Sequence, residues 1–445
     1  MPSLSGTSVF VAGAGLAGLA AAHDLLDRGA DVIVVDARDR VGGRVWTVRD
    51  GFAESQHAEA GGDMIDEDHR AIRDLARLYD LNVVKILRHG FGYVRADAAG
   101  RPRIVPRSAL RGWNRLARML APEIHAYRLA EMRWDTPITA AIARRSVASW
   151  LDAVQADDEL RTTATGLRGF FLADPEELSL IALVDQFSAS ESPAGGSLYR
   201  IEGGNDRLAT AIAAKLGDRL RLKCEVLAVS QRGPGVRITV KESRRQEQLR
   251  CDYAILALPA TIVRRIPFTP SLPTPQHDAI ARLAYGRATK TLLQFARPFW
   301  RTAGRPRAFG SALPFGALWD GNEEQRGRAG ILTLLAGGSA SDQTQAIVAK
   351  DGPQRLAQTL SWLGRNEQPL LASQQVVWEH DAYVRGGYAF FDPAFPPDLR
   401  AYLARPSGRV FFAGEHTSLR WQGYMNGAVE SGQRAAAEIV ASHGS

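Results

Sequence analysis

Apolar positions in this chain change period repeatedly, and each change marks an element. Val9 to Ala12 is a short continuous apolar run, followed by glycines at Gly13, Gly15 and Gly18 and by an Ala- and Leu-rich stretch of helical period. A second apolar run, Val32 to Val35, ends on Asp36. Such runs read as strands buried on both faces, and the stretch between them as the helix joining parallel neighbours. In this context the glycines form a dinucleotide-binding βαβ fingerprint. Gly13 permits a tight turn, Gly15 lets a pyrophosphate reach the helix N-terminus, and Gly18 lets helix and sheet pack closely. Asp36 is placed to accept from a ribose hydroxyl. Which dinucleotide is bound stays open at this point.

Downstream, the period predicts a helix from His69 to about Tyr79 and a short strand from Val83 to Leu87. Pro106 to Ser197 is mainly helical by the same criterion. Strands resume at Tyr199, through Leu222 to Val229, and in VRITV and YAILALP. Thr289 to Phe295 and Ile331 to Leu335 read as strands, Pro353 to Leu363 as a helix, and the last helix begins near Tyr424. The expected fold is α/β, a Rossmann-like nucleotide domain (1–85, 199–270 and 405–445) interleaved with an α+β substrate domain (86–198 and 271–404) of helices plus a sheet.

Composition narrows the class. The chain has 445 residues, 45% hydrophobic, and a net charge of +7, but its basic residues are interleaved with 48 acids. No basic block with aromatic interleaving stands out, so nucleic acid is not an expected partner. Two cysteines, Cys224 and Cys251, make no disulfide framework or metal cluster, which points to a cytoplasmic protein without a metal centre. His23 and Asp24 interrupt the first apolar helix, and no apolar tail follows the last one, so no membrane anchor is expected. GRATKT, Gly286 to Thr291, lacks the glycine that a phosphate loop places before its lysine.

The assembled motifs resemble the flavin-containing amine oxidase superfamily, which includes monoamine, polyamine and L-amino-acid oxidases. The resemblance runs nearly end to end. It rests on GAGLAG with DARDRVGGRV, EAGGDMI, RIEGGNDRLATAI, YGRATKTLLQFARPFW, DAYVRGGYAFF, and FFAGEHT with WQGYMNGAVESGQRAA. It implies FAD as cofactor. By this resemblance Gly13, Gly15, Gly18, Asp36, Arg38, Gly43 and Arg44 would hold its ADP and pyrophosphate parts, with Val226 beside the adenine. Gly61 and Gly62 would lie along the isoalloxazine, Gly414 and Glu415 by the ribityl chain, and Met425 near the pyrimidine ring.

Lys290 matches the family lysine that holds a water near flavin N5. In a chain whose positive charge is overwhelmingly Arg, it is the only lysine between Lys241 and Lys350. Tyr388 and Tyr424 match the paired aromatics that cage the amine, with Trp421 and Trp378 as nearby walls. The remaining pocket shape is expected from Leu167 to Phe171, Phe187, Phe309, Phe315 and Trp319.

Three departures refine this. The covalent flavin cysteine of animal monoamine oxidases falls at Gly387, so the implied FAD is noncovalent. The Arg that clamps a substrate carboxylate in L-amino-acid oxidases falls at about Met64, which favours an amine over an amino acid. Asp63, before it, either meets a second cationic group of the substrate or caps the helix starting near His69. The implied reaction is oxidation of an amine to an imine by hydride transfer to flavin, with dioxygen reoxidising the flavin to yield hydrogen peroxide. The alternatives are an L-amino-acid oxidase or a desaturase or isomerase on the same scaffold. The expected partners are a small-molecule amine and dioxygen, with a homodimer left open.

Overall fold

The protein is represented by a computed structural model, which describes residues 3–96, 101–105, 110–189, 196–364 and 368–443. A five-stranded parallel sheet carries the order Leu220–Arg221, Asp31–Val35, Ser8–Ala12, Tyr253–Leu256, Val410–Phe412. Its strands come from three distant parts of the chain. The alternation of the first strand explains why it is apolar throughout: Val9 and Val11 enter one core, and Phe10 and Ala12 enter another. Helices Leu16–Leu26, Asp206–Leu216 and Met425–His443 cover the first face. On the second lie the antiparallel strands Cys224–Ser230, Val236–Glu242 and Arg245–Cys251 and the helix Thr274–Arg282.

A second, seven-stranded sheet is mixed, in the order Leu370–Val377, Ala288–Phe295, Gly330–Gly337, Ala317–Asp320, Ala308–Ser311, Phe91–Ala96, Pro102–Val105. All its pairs are antiparallel except Ala308–Ser311 with Phe91–Ala96. Ala288–Phe295 lies inside it with all eight residues buried, Lys290 opposite Leu335 on one side and Val376 on the other. Helices between residues 110 and 189 build a third layer around Trp150, Leu180, Ile181 and Leu183. Thr136, Ser146 and Asp157 cap three of them by accepting backbone N–H groups. Of the stretch expected to be helical, residues 106–109 and 190–195 lie outside the described residues.

Two readings of the sequence change. The helix expected over Pro353 to Leu363 instead runs Ser339–Gln358, broken at Gly352, whose φ of 76° precedes Pro353. The break splits the hydrophobic period, leaving its first half unrecognised. The short strands Phe91–Ala96, Pro102–Val105, Ala308–Ser311 and Ala317–Asp320 lacked any strand signal strong enough to mark them.

Candidate active site

A single cavity of about 2400 Å³ runs from the glycine turn to the large sheet, lined along its length by Asp36, Val226, Gly62, Lys290, Tyr388 and Tyr424. At its nucleotide end, Gly13 has φ of 101°, and a Cβ there would lie 2.6 Å from the Ala257 carbonyl oxygen. Gly15 caps helix Leu16–Leu26 and bridges to Gly42. Gly18 lies behind the cavity, where a Cβ would overlap the Gly13 carbonyl oxygen. Asp36 accepts from the backbone N–H groups of Ala14 and Arg38, each at 2.8 Å. It thus fixes the turn that it closes. Arg38 pairs with Asp381 at 2.5 Å. Val226 sits where strand Cys224–Ser230 shifts register against its neighbour.

Midway, the Arg44 guanidinium donates to Glu415 and to the Gly387 carbonyl, both at 2.8 Å. Glu415 also accepts from the Gly423 N–H at 2.8 Å, tying the loop after Val410–Phe412 to the start of the last helix. Gly61, Gly62, Gly414 and Met425 line the same stretch.

At the far end, the Lys290 ammonium is 3% exposed and donates to the Gly61 carbonyl and to Asp63 Oδ2, each at 2.9 Å. Asp63 is neither a helix cap nor a free anion. Its Oδ1 accepts from Arg200 Nε at 2.5 Å, and its Oδ2 also accepts from the Trp319 indole at 2.9 Å. Burial works to raise the Asp63 pKa, but Arg200 and Lys290 outweigh it and hold the carboxyl below its ordinary value. The helix starting after His69 has no side-chain cap. The cap reading of Asp63 therefore gives way: its carboxylate is a counter-ion to Lys290 and Arg200 within the protein.

Tyr388 and Tyr424 line the chamber, and the Tyr388 hydroxyl donates to the Phe170 carbonyl. Burial raises both phenol pKa values, so the rings stay neutral. Trp421 and Tyr424 meet edge to face at 5.8 Å, and fully buried His69 packs on both, at 4.6 and 5.0 Å. Burial lowers the His69 pKa to about 4. Its Nδ1 accepts from the Asp66 N–H at 2.9 Å, so Nε2 carries the proton of the neutral ring. Asp66, Asp68 and His69 gather within 4.8 Å, but neither ring nitrogen has a lone pair left for a cation.

Met64 lines the chamber and packs with Ile86, Leu87 and Trp319. Leu167, Phe170, Phe309 and Trp319 are also walls; Phe187 and Phe315 instead pack into the helical core and the core of the large sheet. Arg200, His69 and Glu59 were not singled out as site residues from sequence. The signals present were Glu59 before the glycine pair and Arg200 at the head of RIEGGNDRLATAI.

The glycine turn at one end and the aromatic chamber with its buried lysine at the other thus share one continuous cavity, and the family to which the chain belongs makes it a flavin-containing oxidoreductase. The chain belongs to the flavin containing amine oxidoreductase family, matched over residues 16–440. It is 28% identical to flavin-containing amine oxidase B of Canis lupus familiaris over 454 residues, 97% of this chain and 86% of that one. Identity to flavin-containing amine oxidase A of Sus scrofa is 27% over 462 residues, 97% and 84% of the two chains. The fold is similar to that of cyclohexylamine oxidase from Brevibacterium oxydans, with a TM-score of 0.85 at 26% identity, covering 99% of this chain and 100% of that one. Putrescine oxidase with bound putrescine superposes with a TM-score of 0.83 at 24% identity over 99% of this chain and 100% of that one, a likeness of fold. Among the described residues no helix is long and apolar enough to cross a membrane.

Family membership implies a flavin, and the residues present fit one. Gly13 leaves no room for a side chain beside the Ala257 carbonyl, Gly15 stands at a helix N-terminus, and the cavity continues to Lys290.

Proposed function

We propose that this chain is an FAD-dependent amine oxidase that converts an amine to an imine with dioxygen as the final acceptor. The observation that carries the reading is the convergence of Lys290, Tyr388 and Tyr424 on one chamber continuous with the glycine cradle. In this reading Gly13, Gly15, Asp36, Arg38, Gly43, Arg44 and Val226 hold the ADP part, with Gly18 setting the helix behind it. Gly61, Gly62, Gly414, Glu415 and Met425 hold the rest, without a covalent bond. Bound FAD supplies the two-electron chemistry, taking electrons from the amine and passing them to dioxygen to form hydrogen peroxide.

The protein's own residues bind and orient. Neutral Tyr388 and Tyr424 present electron-rich faces that accept the amine nitrogen, and the Tyr388 hydroxyl bond to the Phe170 carbonyl fixes one of those rings. Lys290, held at the Gly61 carbonyl, places a positive charge at the flavin end of the chamber. Met64 stands where a carboxylate-binding Arg would be needed, and Asp63 is engaged by protein cations, so the substrate needs neither a carboxylate nor a second positive group at that wall. A second reading, an L-amino-acid oxidase, draws on Arg420, whose guanidinium lies 4.9 Å over the Trp421 ring.

Anaerobic mixing of the yellow protein with monoamines, cyclic amines, diamines and L-amino acids tests both. Bleaching by amines with peroxide formed on readmitting air supports the proposal; bleaching by amino acids alone supports the second reading. No bleaching by any member of the panel overturns both.

A further inference from the structure

At the far wall of the chamber lies a set of buried charges. Lys290 and Arg200 flank Asp63, and Arg200 Nη1 donates to both oxygens of Glu324 at 3.2 and 3.1 Å and to the Gly321 carbonyl at 2.8 Å. Arg200, Lys290 and Asp63 are respectively 2%, 3% and 8% exposed. Glu59 is the other acid facing this group; burial first, and Asp63 second, push its pKa to about 7. By direct contact two cations, Lys290 and Arg200, meet two carboxylates, Asp63 and Glu324.

That balance assigns a duty to Asp63. We propose that Asp63 is a positioning residue that holds Lys290 as an ammonium ion, aimed through the Gly61 carbonyl at the flavin end of the cavity. Arg200 stays charged under all ordinary conditions, so it cannot relieve a surplus of positive charge. Lysine can, by shedding its proton. Burial already pulls the Lys290 pKa below its ordinary value, with Asp63 opposing that loss and Arg200 adding to it. Asp63 thus decides the charge of Lys290, while Arg200 and the Trp319 indole decide where Asp63 stands. The Trp319 ring lies 5.1 Å from the Lys290 ammonium, so the same side chain that orients the carboxylate also faces the cation.

The proposal deepens the reading of Lys290 as the residue facing the flavin, but its test reads charge in the resting protein without substrate. A protein that oxidises no amine could still pass it, and an active oxidase could fail it. Six lysines in the chain make the measurement tractable. The FAD-loaded protein is labelled with 13Cε,15Nζ-lysine, the Lys290 signal is assigned by its loss in Lys290→Met, and each lysine is titrated by NMR. In the wild type, Lys290 is expected as ammonium at pH 7; an amine signal there overturns the proposal and needs no further variant. In Asp63→Asn its midpoint is expected to fall by about one pH unit or more, with the other five unmoved, and Asp63→Glu is expected to restore it. An unchanged Lys290 midpoint in Asp63→Asn overturns the proposal as well.

Discussion

The Met425 side chain occupies the space that a side chain on Gly62 would need: a Cβ there would lie 2.9 Å from both Met425 Cγ and Sδ. At the neighbouring Gly61 the obstacle is backbone, the Arg44 carbonyl oxygen. A methionine can change rotamer, whereas a carbonyl fixed by its bond to the Gly62 N–H cannot move cheaply. Gly62→Ala is therefore expected to fold with near-normal thermal stability while losing FAD affinity by about tenfold, because the displaced Met425 is driven into the cavity. Gly61→Ala is expected to lose on the order of 3 kcal/mol or to fail to accumulate. Thermal unfolding and flavin titration of the two apoproteins separate these outcomes; equal stability of the two variants would refute the distinction.

The Tyr388 hydroxyl reaches the Phe170 carbonyl, while its ring faces the chamber. Tyr388→Phe keeps the face and loses one hydrogen bond, a change of about 1 kcal/mol in stability. Tyr388→Leu loses the face. If the ring is what receives the amine, the phenylalanine variant keeps kcat/KM within about fivefold, and the leucine variant falls by more than about tenfold. Steady-state kinetics on any amine that bleaches the flavin checks this. Equal losses in the two variants would assign the role to the hydroxyl instead.

What the sequence disclosed and what it concealed divide along contact range. Val9 to Val35 was legible because Val9–Ala12, Val32, Val34 and Val35 are buried in one core or the other and the helix between the strands is local. Ala308–Ser311 was not, since a four-residue strand containing glycine owes its place to Phe91–Ala96, far away in the chain. The cavity walls at Lys290, Tyr388 and Tyr424 could be named from motifs. Asp63 could be named but not understood, because Arg200 and Lys290 lie 137 and 227 residues from it in sequence. No local pattern records that such a carboxylate is already paired.

Gly387 bears on flavin attachment. Its carbonyl accepts from Arg44, and a Cβ at this position would overlap the Leu172 side chain and lie 2.9 Å from Ala288 Cβ. The wall here is built for the absence of a side chain. Denaturation in acid followed by filtration is expected to release all of the flavin; yellow colour retained by the precipitate would contradict noncovalent binding. Gly387→Cys is expected to lower thermal stability by about 1–3 kcal/mol through overpacking against Leu172.

Glu59 sets a pH signature that can be isolated. Its carboxyl is 1% exposed, and its Oε1 accepts both the Asn205 N–H at 2.9 Å and the Thr47 hydroxyl at 3.1 Å. Burial and then Asp63 raise its pKa from 4.5 to about 7. Between those values the folded protein holds a proton that the unfolded chain releases, so stability from this group is complete below pH 4.5 and is lost as pH rises through 7. Glutamine keeps an Oε1 for both donors and never ionises. Glu59→Gln is therefore expected to match the wild type near pH 5 and to exceed it at pH 8 by on the order of 2–3 kcal/mol. Chemical denaturation of both proteins at the two pH values measures the difference directly. A gap between them that does not change with pH would show that Glu59 is ionised throughout, balanced by more positive charge than Arg200 and Lys290 leave for it.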